Sequence, residues 1–578
     1  MPNTPKVDFN FINNNVQTSV PLLGVSHVVA RTTKGPCNDP SQLLSSYAQF
    51  ERLFGEEIVP DGSVSNIQRA FLGGSKLRVS RVANDGAAYG WAGATAGSIT
   101  DPESDAFVLK FTLTDPKDEE ADPVEYEFNI RTKNLGEKLF TATGDFTLQF
   151  NLASAAIQKF NLAQYDPDGN LVDSQTVISW SEKGGINANS FTNFVNNVAN
   201  IVLVPNGASG MTLNQVMADL RKRTSWNIAI TVGSTEIKEG SASASLKMSQ
   251  GNVGANNSTL DGWKAAMDAL VDYNDAYQVI LSHVHQHLTG DGSGQKLGEI
   301  PGDAIAAYNY YVQTYVPKFE AVLYVELPKS LVTTDQVVAA LQKVVPAVGY
   351  AKNIAYFGGG LKFYDDYGTL QDCDVLGTVL GLGDSAATTY GPWYSFSGMN
   401  RGTVPDAIGP VMENLGGASR IDDLQRIAEW YMNLFVIKDT RTQGKRTMLW
   451  HGFTSNSIDD SEKFLSIVRL NLYLKKNLRP ILESYLEEPN NWDTWKKIYY
   501  EAKEILDDLV VRNAMTEYTW MGDQDVTSYS ELQINNEADV RQGKYKIVLK
   551  YKDVVPLQEV TIDIVIDSAS QNVDISVE

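Results

Sequence analysis

Two cysteines in 578 residues, Cys37 and Cys373, leave no disulfide framework to read. A secreted scaffold held by cross-links would carry more, so the sequence predicts maturation in a reducing cytoplasm. Histidine is nearly as scarce, at five copies, which leaves little material for imidazole metal sites or catalytic pairs. No run of eighteen apolar residues occurs, so nothing is expected to span a membrane. The opening MPNTPKVDFN lacks the basic and apolar regions of a signal peptide, and we expect a soluble protein made inside the cell. Basic residues are outnumbered, 48 Lys and Arg against 70 Asp and Glu, for a net charge of −22. An acidic surface repels nucleic acid and anionic lipid, so neither is an expected partner. Neither a GxxxxGK[ST] phosphate loop nor a GxSxG elbow is present.

What is present builds cores. Hydrophobic residues make up 43% of the chain, and its length suits roughly three or four domains. Residues 20–83 read as a strand (Val20–Ala30), a Gly35-Pro36 turn, helices at Tyr47–Phe54 and Val64–Phe71, and a strand at Lys76–Val82. From 100 to 245 alternating segments such as FVLKFTLTD, VEYEFNIRT and FTLQFNL predict a β-rich insertion. From 255 to 387 helices (263–271, 303–316, 334–345) alternate with strands (YQVILSHV, AVLYVELP and 353–357), an α/β layer. The remainder carries the strongest helical stripes. One joins Ile421, Leu424, Ala428, Tyr431 and Phe435, with Ser419 and Asp422 at capping-box spacing. A helix from Ser461 should end or kink near Pro480. Another starts after Asn491 with the stripe Trp492, Trp495, Tyr499, Ala502, Leu506 and Leu509.

Both chain ends alternate strictly, as half-buried strands do. KYKIVLKYK (Lys544–Lys552) sets Tyr545, Ile547, Leu549 and Tyr551 against the lysines and Val548. VTIDIVID sets Val560, Ile562, Ile564 and Ile566 against Asp563 and Asp567, and near the start Val7, Phe9 and Phe11 alternate with Asp8 and Asn10. By pattern alone these strands close the chain's own sheet. Read as arms, they would complete sheets of other copies.

Four segments in order then resemble the tail sheath proteins of contractile-tailed bacteriophages and related contractile injection systems. They are VPLLGVSHVVARTTKGPCNDP with YAQFERLFGEE and FLGGSKLRVSRV; GPWYSFSGMNRG; SIVRLNLYLKKNLRPILESYLEEPNNWDTW; and INNEADVRQGKYKIVLKYKDVVPLQEVTIDIVI. Together they cover about half the chain. Ser395-Phe396-Ser397-Gly398 departs from the Pro-Ala pair frequent in the family at that point. The resemblance implies an α/β and α+β multidomain fold. An arm (1–19) would precede an inner domain made of 20–92 and 388–556. A β-rich outer insertion (93–245), a subtilisin-like α/β middle domain (246–387) and a C-terminal arm (557–578) would complete it. It implies a structural subunit, not an enzyme, with no cofactor or metal, in stacked hexameric rings that contract around a tail tube. Partners would be neighbouring subunits, reached through arm residues Val7, Phe9, Phe11, Val560, Ile562, Ile564 and Ile566. Tube, baseplate and tail terminator proteins would be the others, in a virion tail assembled in the bacterial cytoplasm. By the same likeness Lys475, Lys476 and Arg479 would face the tube; as pattern they are cations at a helix C-terminus.

A sheath of a non-viral injection system or tailocin shares this reading, and a subtilisin-like or metal-dependent hydrolase is the alternative of another class. His283, His285 and His287 would share one face of a strand and could gather a zinc ion, but no Cys or evident carboxylate accompanies them. YDPDGNLVD spaces Asp166, Asp168, Asn170 and Asp173 like a calcium loop, yet Leu171 and Val177 stand where an EF-hand needs Gly and Glu. A turn is the expected reading.

Overall fold

Strands buried on both faces must be covered by helices on both, and their sequences then lose the apolar-polar alternation. The computed structural model describes residues 23–59, 64–92, 300–315, 321–348, 352–364, 368–415, 421–440, 444–456, 462–526 and 531–557 as continuous runs. It also describes shorter stretches between 109 and 288 and, near the chain end, 562–566 and 573–577. Its main sheet has eight strands: β1 (Val25–Ala30), β2 (Leu43–Leu44), β3 (Lys76–Arg81), β4 (Gln278–Leu281), β5 (Val322–Glu326), β6 (Ile354–Gly358), β7 (Met432–Thr440) and β8 (Gly444–Leu449). Their order is β2-β3-β1-β4-β5-β6-β7-β8. The six inner strands run parallel, and β2 and β8 lie antiparallel at the edges.

Successive residues of these strands feed two helix layers. Val29, Val279, Leu281, Leu323 and Val325 meet α3 (Leu260–Asp268), α4 (Gly302–Tyr310) and α5 (Thr334–Val348) in one core. Val28, Ile280, Val322 and Tyr324 meet α1 (Tyr47–Phe54), α2 (Asn66–Leu72), α6 (Leu376–Thr389) and the start of α7 (Leu465–Ser484) in the other. The expected helices and strands of 20–83 and 255–387 are thus present, within a few residues of their predicted ends.

The domain division read from sequence does not follow this sheet. Its strands come from 25–81, from 278–358 and from 432–449, so Val25–Ala30, Leu43–Leu44 and Lys76–Arg81 join the α/β layer instead of pairing with the C-terminal part alone. The reason lies in β1: all six residues are buried, and its backbone needs partners on both edges. The boundary at 245 also moves, because it would cut the strand Ala244–Met248. That strand belongs to the insertion, whose ten described strands form two antiparallel five-stranded sheets around one core that includes Phe111, Phe128, Phe146 and Phe150. The chain leaves and re-enters the α/β layer through a neck of antiparallel bridges, Asn84–Ser258, Ala88–Asn252 and Ala92–Met248. Asp166 accepts from Asn170 N (2.7 Å) and Nδ2 (3.0 Å) within the insertion, the turn expected there.

Two further expectations are corrected. The stripe from Ile421 to Phe435 is not one helix: it ends at Ala428, Tyr431 takes φ +55°, and Phe435 lies in β7. Helix α7 runs through Pro480 to Ser484. A proline so near the end forfeits one backbone bond, to the Lys476 carbonyl, while the flanking leucines keep their burial.

Helices α2 and α6 approach backbone to backbone. A Cβ on Gly377 would meet Asn66 O at 2.2 Å, and one on Gly381 would meet Gly73 Cα at 2.8 Å. Gly377→Ala should therefore destabilise the protein by about 1–3 kcal/mol in chemical denaturation, by overpacking. Gly302→Ala, where a Cβ meets nothing within 4 Å, should leave stability unchanged or slightly raised.

Candidate assembly interface

Helix α7 belongs to two cores. Leu465, Val468 and Leu472 pack under the sheet, while Leu470, Leu474 and Leu478 face α8 (Trp492–Val511). Asn491 caps α8 as expected, accepting from Thr494 N at 3.0 Å. The buried face of α8 is Trp495, Ile498, Ala502, Leu506 and Leu509. Trp492 instead stays partly exposed, its Nε1 donating to Asp523 O at 2.7 Å. Ile498 is buried where the stripe had placed Tyr499, which stays only partly buried.

A two-stranded sheet covers this helix pair: β9 (Met515–Met521), which the sequence reading missed, and β10 (Val548–Asp553). The alternation of KYKIVLKYK holds. Tyr545, Ile547, Leu549 and Tyr551 turn to the core, and Val548 is 40% exposed. Tyr545 stacks on Trp495 with ring centroids 4.9 Å apart, and the Tyr551 hydroxyl donates to Asn471 of α7.

The strand expected over 560–567 is found as β11 (Ile562–Ile566). It pairs antiparallel with β12 (Val573–Val577), also missed, with Ile562 opposite Val577 and Ile566 opposite Val573. Among the described residues this hairpin pairs with no other strand. Ahead of it Val554, Val555 and Leu557 are exposed. Val7, Phe9, Phe11 and Val560 lie outside the described residues. A lone two-stranded hairpin is marginal in water.

The three cations singled out on α7 differ in fate. Lys476 is 4% exposed, and its ammonium donates to Asn274 O (3.0 Å) and Oδ1 (2.6 Å). That removes it from any surface contact in this conformation. A charged nitrogen so deep needs those acceptors, which the spacing of lysines cannot reveal. Arg479 pairs with Glu483 at 2.8 Å one turn on. Lys475 is partly exposed.

The histidine cluster belongs to a buried polar network at the carboxyl ends of β1, β4 and β5. Strand β4 stops at Leu281 and His283 takes φ +52°, so the three histidines do not share a strand face. Glu57 accepts from Ser65 Oγ (2.5 Å), Ile67 N (3.1 Å) and Ser282 Oγ (2.5 Å). His283 Nδ1 meets Asp374 Oδ2 at 2.6 Å, and Nε2 lies 3.8 Å from Glu57. Burial works to lower the His283 pKa, but the two carboxylates prevail and raise it. Burial likewise works to raise Asp374, yet His283 holds it at about 2. Glu326, which accepts from Val375 N, is pushed well up by burial and by the Asp374 charge. His287 accepts from Arg31 (3.2 Å) and donates to Ile58 O (3.0 Å), and burial keeps it neutral, its pKa about 3.

A His–Asp pair is thus present, but the Ser282 proton is committed to Glu57 and no member reaches the surface. Chemically the cluster is a clamp joining Glu57, Ser65 and Asn66 to 282–287, Glu326 and 374–377. Among the described residues no group of three His, Cys, Asp or Glu could hold a metal, and no helix is long and apolar enough to cross a membrane.

No family model matches the chain, and no curated protein does. Among solved structures it is similar to a sheath tail protein from Listeria innocua, at 10% identity over 93% of this chain and 96% of that one, with a TM-score of 0.45. It is similar to a sheath tail protein from Desulfitobacterium hafniense at 12% identity over 94% and 100%, TM-score 0.40. The contracted helical sheath of the anti-feeding prophage follows at 14% over 54% and 77%, TM-score 0.38.

A second buried carboxylate links the sheet to α7. Asp384 accepts from Ser26 Oγ (2.6 Å) and Gln278 Nε2 (2.9 Å), and Arg469 donates to the adjacent Gly383 O at 2.8 Å. Burial outweighs these bonds and raises the Asp384 pKa to about 6. A carboxyl raised on folding contributes stability that is complete below about pH 4 and lost as pH rises through 6. Relative to wild type, Asp384→Asn should gain up to about 3 kcal/mol between pH 4 and pH 7.5, read from denaturation midpoints across that range.

Proposed function

We propose that this chain is the structural subunit of a contractile tail sheath, stacking as hexameric rings around a tail tube and contracting to drive the tube through a bacterial envelope. One observation carries the reading: family-like segments far apart in sequence form one packed unit. Trp393 of GPWYSFSGMNRG lies in one core with Leu470 and Leu474 of the α7 segment, and with Ile498, Met515 and Trp520. Tyr545, Ile547, Leu549 and Tyr551 of the final segment pack against that core.

In this reading the β11–β12 hairpin, tethered by an exposed apolar linker, is the element offered to a neighbouring subunit, together with Val7, Phe9 and Phe11. Burying the isoleucines of β11 against another copy gives roughly 1.5–3 kcal/mol each, an upper figure. The parallel α/β layer corresponds to the family's subtilisin-like domain, and the two-sheet insertion to its outer domain. The tube would meet the α7 surface at Lys475 and Arg479, with Lys476 left out by its burial. Baseplate and terminator proteins complete the partners, in a tail assembled in the bacterial cytoplasm. The same unit would serve a phage or a non-viral injection system.

Two experiments test this. By negative-stain electron microscopy the concentrated full chain should give striated tubes or stacked rings. Deleting 558–578 should abolish them without moving the thermal midpoint by more than a few degrees. Tubes that survive the deletion, or a wild type that gives only monomers, would count against the strand-exchange reading. Lys475→Glu with Arg479→Glu should reduce co-sedimentation with tube protein at least severalfold, and an unchanged yield would remove α7 from the tube contact.

A further inference from the structure

The loop after α6 presents a rigid patch that neither the terminal strands nor the α7 cations use. Gly391 holds φ +121°, and a Cβ there would meet the Trp393 ring at 2.4 Å. The turn is therefore set by the indole. On it Arg401 lies over Tyr394 (5.2 Å) and Tyr390 (5.6 Å), its Nε donating to Ser395 O at 2.6 Å. Arg512, just beyond α8, lies over Trp393 at 4.6 Å, donates to Tyr390 O at 3.3 Å and pairs loosely with Asp508 one turn back at 3.5 Å. The Tyr394 hydroxyl donates back to Arg512 O at 3.3 Å. Around the two guanidiniums Tyr390, Met399 and Val511 are exposed by 46, 50 and 79%.

Tyr, Met and Arg are the residue types enriched in binding surfaces, and an arginine already stacked on a ring loses little freedom when it meets a carboxylate. Its in-plane N–H groups suit that partner. The patch sets Arg401, beside an Arg512 partly offset by Asp508, among exposed apolar atoms on a chain of net charge −22. Another copy therefore offers the acidic surface that matches it, whereas elsewhere two copies repel each other. We propose that this patch docks an acidic surface of a second copy of the chain, a contact separate from strand exchange.

Sedimentation velocity of the full-length chain over a concentration series tests this. Met399→Glu and Val511→Glu alter exposed side chains, so circular dichroism should show an intact fold. Each should weaken self-association about tenfold, a change of about 1.4 kcal/mol. Raising the salt from about 0.1 to 1 M, which shortens the screening length from about 10 to 3 Å, should weaken the wild type in the same direction. Variants that associate as tightly as wild type, or a wild type that stays monomeric throughout, overturn the proposal. If wild type and both variants form rings equally well, the patch is wrong and the sheath reading stands. If the variants lose association while deletion of 558–578 changes nothing, the patch stands and strand exchange fails.

Discussion

Strand β1 is the constraint on which the α/β layer depends. Its six residues are buried, its two neighbours lie about 50 and 250 residues away in sequence, and neither can be replaced by a local partner. Its polar residues hold the register. Ser26 faces Asp384 and Gln278, and His27 faces Asp275 at 2.7 Å, so a one-residue slip would point each at the wrong helix layer and leave buried polar groups without acceptors. Pairing across such separations is slow to form. Asp275 shows how tightly the arrangement is drawn: burial opposes its charge, yet His27 and Arg78 hold its pKa below the usual carboxylate range.

Backbone contact at Gly73, Gly377 and Gly381 then fixes α6 against α2, and α6 carries Gly383 and Asp384 to Arg469 of α7. Because α7 lines two cores at once, displacement of the C-terminal unit cannot leave the sheet layer untouched. The contact runs through a fully buried guanidinium rather than through leucines alone. Buried charge is costly to move, so the joint between the two cores is stiff.

Periodicity located most elements. Val25–Ala30, Tyr47–Phe54, Lys76–Arg81, Trp492–Val511 and the faces of β10 were all legible, since each has a clean apolar period or a cap such as Asn491. Sheet membership was not. Nothing in the composition of 20–92 says that it pairs with Gln278–Leu281, because parallel neighbours leave no local signature. Strand β9 (MTEYTWM) hid because its polar residues break the alternation, with a register shift between Met515 and Glu517. Phe435 was drawn into a helical stripe because 3.6-residue spacing continues past Ala428 by coincidence, where Tyr431 reverses the chain. Among the site residues, Lys475, Lys476 and Arg479 look alike in sequence; only the acceptors on Asn274, 202 residues away, distinguish Lys476. Of the exposed patch, Trp393, Tyr394, Met399 and Arg401 were legible only as part of a family-like segment, and Tyr390, Val511 and Arg512 not at all, since a guanidinium cannot be seen to stack on a ring about 120 residues away.

The neck through which the insertion leaves and returns has an evolutionary consequence. Its two passes lie side by side, bridged at Asn84–Ser258 and Ala88–Asn252, and the two-sheet body described beyond them has its own core. Such a module can be lost, enlarged or exchanged between lineages without disturbing the pairing of β3 and β4 with β1. The same two points are where a foreign domain could be grafted while the sheet beneath them is inherited unchanged.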